Sequence, residues 1–582
     1  MSNQLHSDIT SPSSGSSLVK QEADSAEPLP KKKQKRNKPT LSCDECVERK
    51  TKCDRGRPSC IACIKRQSEC KYAVGSAVTQ ANRSISPTLR MVKPFKKKLG
   101  TQGDFEDPHQ VTSTKGPSTP NRPFSPSGEI QSLLSHVPYS HPTGSNVFEN
   151  EHPFANYWTC QGGLKETIGV LPEKMQADLL LDQYFECVDP VYPMIHRQNF
   201  YADYTHFWSL PLSEKVKTDG ALIALIFALL AMGAQFITTT PAKERQSTAK
   251  FYISASHQSL HVSSYLSTAS VRSIQAMVLI TYFLINDNHA SDGWAFAGIL
   301  LRQAYAMGLH RNPDVYVPNA SIFEKQVRRK LWQAVLLQDT FLTVLLSLPP
   351  SATHTDVDVE DLREDTSSIA LSNTTDTAYM RGSWMLANLV QEAICSPRSL
   401  GIPICPTTRS KTKIVANFRA VYRSFPDVFR SWTPAYITQL CEQGNKRVVR
   451  QTLFLTSNYF HNVMLVHCSV SEEVAMNVRA CLEAAHEAIS AFFLLYLLCQ
   501  SEAQVWWVFN HRAFLEAMCI GNILQERAKE ENGSEVLAKD ALFSRARADV
   551  VQMIDIMHKM GEGETGSVVA RTRVGILSQF LV

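Results

Sequence analysis

The sequence predicts a mostly α-helical protein in two unequal parts: a small cysteine-rich module with two short helices, and a large all-α domain, joined by a disordered linker. Three observations predict it. Six cysteines crowd between Cys43 and Cys70 in a repeated spacing. From Pro172 onward, long apolar stretches recur at helical period. Between these regions, nine prolines from Pro87 to Pro142 break any regular element. A chain of 582 residues is also long enough for two or three units joined by linkers.

Residues 1–42 read as a disordered tail, rich in Ser and Pro and without an apolar targeting run. Its basic run over 31–38 contains Lys31, Lys32, Lys33, Lys35 and Arg36, the kind of cluster that nuclear import receptors read. The same run can serve as a flexible arm that adds phosphate contacts. With fifteen cysteines and no signal peptide, a reducing compartment is expected, where thiolates hold metal rather than pair.

In the cysteine-rich stretch, Cys43, Cys46 and Cys53 recur seventeen residues later as Cys60, Cys63 and Cys70. Each half is C-x2-C-x6-C, which lets two sulfurs reach one ion from the start of a helix. Two separate four-coordinate zinc ions need eight ligand places, so six sulfurs suffice only if one thiolate from each half is shared. No histidine lies between His6 and His109, so the expected donor set is all sulfur. The competing reading is six thiols or disulfides without metal. From Lys31 to Tyr72, fourteen Lys and Arg face five Asp and Glu, a side-chain charge of +9 in a chain whose total is +5. Two zinc ions on six thiolates lower the local figure to about +7. Such concentrated charge on a small module is the footprint of phosphate binding. Val47, Ile61, Ala62 and Ile64 are nearly all the apolar residues it owns, so metal must provide most of its folding free energy.

These residues resemble the fungal Zn(II)2Cys6 binuclear-cluster transcription factors: the spacing 2, 6, 6, 2, 6, the run Glu48-Arg49-Lys50-Thr51-Lys52 and Pro58 all fit that pattern. The resemblance implies that Cys43 and Cys60 bridge two Zn2+ ions, that Cys46 and Cys53 complete one, and that Cys63 and Cys70 complete the other. It implies that Lys50 reads the guanines of a CGG triplet in double-stranded DNA, with Arg49 and Lys52 in support. Lys and Arg pair with guanine acceptors in the major groove. Lys65 and Arg66 are expected at phosphates. A solvated charged face is the alternative for Lys50, Arg49 and Lys52. Glu48 stands where the family often has an apolar or basic residue.

Residues 71–150 form the linker. The family often places a pairing coiled coil here, but between Gly75 and Pro87 only eleven residues run without a break, too few for three or four heptads. A monomer, or a dimer held by the distal domain, is expected. Lys93 and Lys96 to Lys98 make a second basic cluster.

The helical domain is expected to open with Leu181, Tyr184, Phe185 and Val188 on one helix face, ended by Pro190. Val191 to Phe200, Gly293 to Arg311 and Val327 to Asp339 resemble segments of the fungal-specific transcription factor domain, placing that regulatory domain at 172–400. Ser347-Leu348-Pro349-Pro350 replaces its usual Gly-Arg-Pro turn. Residues 401–582 read as a helical continuation, periodic to about 560. Gly220 to Ala234 spans only about 22 Å as helix, short of a hydrocarbon layer of about 30 Å, and Ala491 to Leu498 is shorter still, so no membrane role is expected.

Other chemistry is poorly supported. His257 and His261 stand at i, i+4, but residue 258 is Gln where a zinc protease carries Glu. His310 and Arg311 suit a cap or a packed salt bridge. No Gly-rich phosphate loop or Gly-x-Ser-x-Gly elbow occurs, and the nine remaining cysteines, Cys395 and Cys405 among them, show no second metal spacing and read as core residues. The expected protein is therefore not an enzyme. It is a nuclear, sequence-specific DNA-binding regulator of a pathway or gene cluster, with co-regulators as possible partners. The alternative makes the helical region a small-molecule or protein sensor, with Trp294, Phe296, Tyr305 and Trp332 lining a pocket and the zinc cluster acting as a docking module.

Overall fold

The computed structural model describes residues 44–49, 51, 61–66, 68, 154, 163–352, 358–359, 374–530, 533–562 and 566–581. Every regular element among them is helical. The chain divides into two units, 1–118 and 119–582. The import run 31–38 and all of 71–150 lie outside the described residues.

In the first unit, α1 (Asp44–Glu48) and α2 (Ile61–Arg66) are single short turns of helix. In the second unit a six-residue helix, Leu164–Gly169, precedes α3 (Lys174–Cys187), which buries Leu181, Tyr184 and Phe185, while Val188 caps it. After α4 (Arg197–Ser209) comes α5 (Gly220–Phe236), the helix around which the domain is built. Asp219 caps α5 by accepting from the Ala221 amide at 2.9 Å, and from Ala221 to Phe236 every residue is buried. A helix apolar all round belongs in a core. It is enclosed by α3, by α6 (Ala242–Val262) and by α7 (Val271–Asn286). At Gly233 a Cβ would stand 2.0 Å from the Leu180 carbonyl oxygen, so α3 and α5 approach as closely as they do only because this residue is glycine.

Next come α8 (Ala290–Ala306) and α9 (Ile322–Leu346). Gly308, at φ +67°, turns the chain out of α8. At its end His310 lies 4.8 Å from the Tyr305 ring, and the Arg311 guanidinium sits over Tyr316 at 5.4 Å. Ser347, at φ +53°, ends α9. The returning chain is held by Asp339, whose carboxylate accepts from the Ser351 and Ala352 amides at 3.0 Å. A buried carboxylate thus fixes the turn that the unusual Ser-Leu-Pro-Pro sequence makes.

The remaining long helices are α10 (Thr374–Val390), α11 (Thr408–Ser424), α12 (Lys446–Cys468), α13 (Val478–Leu498), α14 (Trp507–Ala528), α15 (Ala541–Gly561) and α16 (Val568–Ser578). Two expectations need correction. Helix extends past 560, because Arg573 on α16 is buried and donates to Asn510 at 2.9 Å and bonds His511 at 2.7 Å on α14. Residues 491–498 are the last eight of the 21 residues of α13, a helix long and apolar enough to cross a membrane by length and composition. Its buried face packs on α12 and α14 of the same chain.

Residues on either side of position 400 share one core. Tyr192 stacks on Tyr282 at 3.5 Å and meets the edge of Trp506 at 5.6 Å. Arg450, 2% exposed, forks onto Glu502 with two bonds of 2.8 Å and reaches Glu186 at 3.0 Å. Arg447 joins Asp189 at 2.8 Å to Asp376 at 2.7 Å. Buried cations are expected to be paired in this way.

Candidate metal centre and nucleic-acid interface

The first unit places sulfur inside and charge outside. Cys46 on α1 and Cys63 on α2 are 1% and 0% exposed, with their Sγ atoms 4.0 Å apart. That distance is twice a disulfide bond. The sequence repeat is also a backbone repeat: the Cys46 carbonyl accepts from the Thr51 amide at 3.0 Å, and the Cys63 carbonyl accepts from the Ser68 amide at 3.1 Å. Both chains therefore turn out of their helices alike, five residues after the buried sulfur. Two buried sulfurs at equivalent places, in a module with almost no hydrocarbon of its own, fit a thiophilic metal cluster.

Around this sulfur pair, Glu48, Arg49, Thr51, Lys65 and Arg66 are exposed. α1 stops at Glu48, so Arg49 stands in the turn beyond it, its guanidinium bonded to Glu45 at 2.5 Å. Arg66 donates to the Thr51 hydroxyl at 3.1 Å and so ties the second half of the repeat to the first. Lys65 shares the last turn of α2 with it. Cys43, Cys53, Cys60, Cys70, Lys50 and Lys52 lie outside the described residues.

The helical domain buries most of its cysteines in the core, as their helical apolar setting predicts. Cys395 and Cys405 are core residues, each 0% exposed. Cys468, Cys481 and Cys519, however, converge in one buried triangle, with Sγ separations of 2.9, 3.1 and 3.6 Å. Pairwise spacing could not reveal them, since they come from α12, α13 and α14. Thiol hydrogen bonds from Cys481 and Cys519 hold the Cys468 thiol well below its usual range, while the shared bonds, and after them burial, push Cys481 up. The proposed aromatic pocket also dissolves. Trp332 and Tyr305 pack together at 5.4 Å, whereas Phe296 packs on Phe154 and His257, each at 6.1 Å. Trp294 is partly buried against the same core. His257 stacks on Phe154 at 4.1 Å, and His261 is exposed.

Comparison with known proteins agrees with this architecture. Residues 41–76 match the fungal Zn(2)-Cys(6) binuclear cluster domain, and residues 181–382 match the fungal specific transcription factor domain. Transcription factor yanR of Aspergillus niger is 27% identical over 219 residues, covering 35% of this chain and 27% of that protein. A transcriptional regulatory protein of Schizosaccharomyces pombe is 22% identical over 449 residues, covering 73% of this chain and 55% of that protein. Transcription factor opdR of Penicillium oxalicum is 29% identical over 187 residues, covering 32% and 22% respectively. The chain thus aligns with between about a fifth and about half of the length of these relatives. This chain thus carries a domain of the fungal Zn(2)-Cys(6) binuclear cluster type, which binds two zinc ions, together with a fungal specific transcription factor domain, and the relatives it resembles are named as transcription factors or regulatory proteins.

Proposed function

We propose that this chain is a nuclear, sequence-specific DNA-binding regulator of transcription that reads CGG-like triplets and controls a pathway or gene cluster. Cys43 and Cys60 would be shared between the two ions, with Cys46 and Cys53 completing one and Cys63 and Cys70 the other. Zinc, when bound, supplies the cross-linking that folds the module. Lys50 would read guanine, with Lys52 beside it. Arg49 is held by Glu45 and would face the phosphate backbone from the turn. Lys65 would contact phosphate, while Arg66, bonded to Thr51, would keep the two halves in register. The run Lys31 to Arg36 would engage import receptors, and the helical domain co-regulators. The observation that carries this reading is the buried Cys46–Cys63 pair at equivalent places of the repeat, beneath an exposed basic surface.

Selection of bound sequences from random double-stranded DNA, with and without a zinc chelator, tests it. Zinc-dependent enrichment of CGG-containing sites is expected, and Lys50→Ala should lose about 1–3 kcal/mol of base discrimination while retaining salt-dependent binding. Enrichment of the same sites after zinc is removed would refute the proposal.

A further inference from the structure

We propose that Cys468, Cys481 and Cys519 form a three-thiolate site for a trivalent, thiophilic metalloid of the arsenite class. The three residues sit at one end of the α12–α13 hairpin: Cys468 is the last residue of α12, Cys481 lies in the first turn of α13, and Cys519 faces both from α14. They are 2%, 0% and 0% exposed, and each sulfur lies within 3.6 Å of the other two. Among the described residues, these are the three potential ligands whose donor atoms all lie within 4.8 Å of one another, and no fourth joins them.

The size of the triangle selects the ion. With metal–sulfur bonds of about 2.3 Å, a tetrahedral centre spreads its sulfurs to about 3.8 Å and a flat three-coordinate centre to about 4.0 Å. All three observed edges are shorter than either. A pyramidal centre with bond angles near a right angle needs edges of about 3.3 Å at the same bond length, which the observed triangle brackets. Trivalent arsenic and antimony, whose lone pair occupies the fourth direction, have that shape. Thiolate ligands select soft ions over hard ones.

The connection between α12 and α13, which joins the helix ends that carry Cys468 and Cys481, has Val470, Glu472 and Glu473 exposed, and local opening there is the entry route this site requires. Binding is a condensation: arsenious acid and three thiols give one arsenic trithiolate and three waters. Three As–S bonds replace three As–O bonds, each thiol proton leaves in water, and no oxidation state changes. The product clamps α12, α13 and α14 to one another.

This inference does not depend on what the cluster domain reads, and the experiment keeps the two apart. Zinc-loaded full-length protein, held reduced by a phosphine, is titrated with arsenite while zinc release is followed. The expected result is one arsenic bound with both zinc ions retained. The added mass should be that of one arsenic less three hydrogens, and the peptides containing Cys468, Cys481 and Cys519 should be linked. Cys519→Ala and Cys481→Ser should weaken arsenite binding at least tenfold, with Cys395→Ser as the unaffected control. If the cluster variants do not fold, the wild-type peptide map alone decides. Arsenic found only on residues 43–70 with zinc expelled, a loss of two hydrogens that marks a disulfide, or capture of Cu(I) but not arsenite by the three cysteines would each overturn the proposal.

Discussion

The two units of this chain solve the same problem with different materials. Between Cys43 and Cys70 there is too little hydrocarbon to close a core, and the interior that is described consists of the sulfurs of Cys46 and Cys63. Beyond residue 160 the interior is a continuous hydrocarbon mass centred on α5, into which Arg450 and Arg329, each 2% exposed, are admitted with carboxylate partners. A fold held by metal is all or nothing, because its ligands lie within twenty-eight residues of one another and the free energy comes from few bonds. A fold held by packing loses stability in increments.

The largest effect expected from this contrast is loss of the first unit alone. Structural zinc contributes about 10–16 kcal/mol to such modules. Chelation, or Cys63→Ala, should therefore abolish specific DNA binding. All eight tryptophans lie at or beyond Trp158, so tryptophan fluorescence reports the helical part only. Its urea midpoint should not move under either treatment. A midpoint that shifts on chelation would mean that the two units depend on each other for stability.

Within the helical unit, the greatest single loss is expected at Arg450. Truncating one partner of a buried pair leaves the other charge uncompensated, at a cost of about 3–5 kcal/mol. Arg450→Ala strands Glu502, whose side chain is 11% exposed. The double variant Arg450→Met, Glu502→Leu should be more stable than the single one, since replacing both partners by apolar groups removes the stranded charge. Urea unfolding followed by tryptophan fluorescence measures both. A double variant less stable than Arg450→Ala would show that the pair contributes more through its geometry than through mutual neutralisation.

The same contrast explains what could be read from the chain. The first unit was legible because its donors repeat at short range, and Leu181, Tyr184, Phe185 and Val188 were legible because one helix face carries them all. α16 was not, since Arg571, Thr572 and Arg573 interrupt its apolar stripe, and only the packing against α14 gives Arg573 a reason to be buried. α13 looked short because Glu483, His486 and Glu487 occupy its first half. The Cys468–Cys481–Cys519 triangle is further from sequence logic still. Its members are 13, 38 and 51 residues apart and meet only once three helices have packed.

A smaller effect separates charge burial from charge pairing. Asp189 accepts from Arg447 through one oxygen at 2.8 Å, while its other oxygen is buried without a hydrogen bond. Burial therefore outweighs the neighbouring guanidinium, and the carboxyl is pushed up to about 6 from an ordinary 3.8. A carboxyl whose folded value is raised retains its proton more firmly in the native state than in the unfolded one. Its contribution is thus fully present below about pH 4 and is lost as pH rises through about 6. Between pH 4 and pH 7, wild-type stability should fall relative to that of Asp189→Asn by about 2–3 kcal/mol. The difference between the two proteins matters, because other carboxylates titrate over the same range in both. Urea midpoints at half-unit pH intervals give the curve. A difference that rises with pH would mean that Arg447 governs Asp189 after all, and that this charge is stabilised by its partner more than it is penalised by its surroundings.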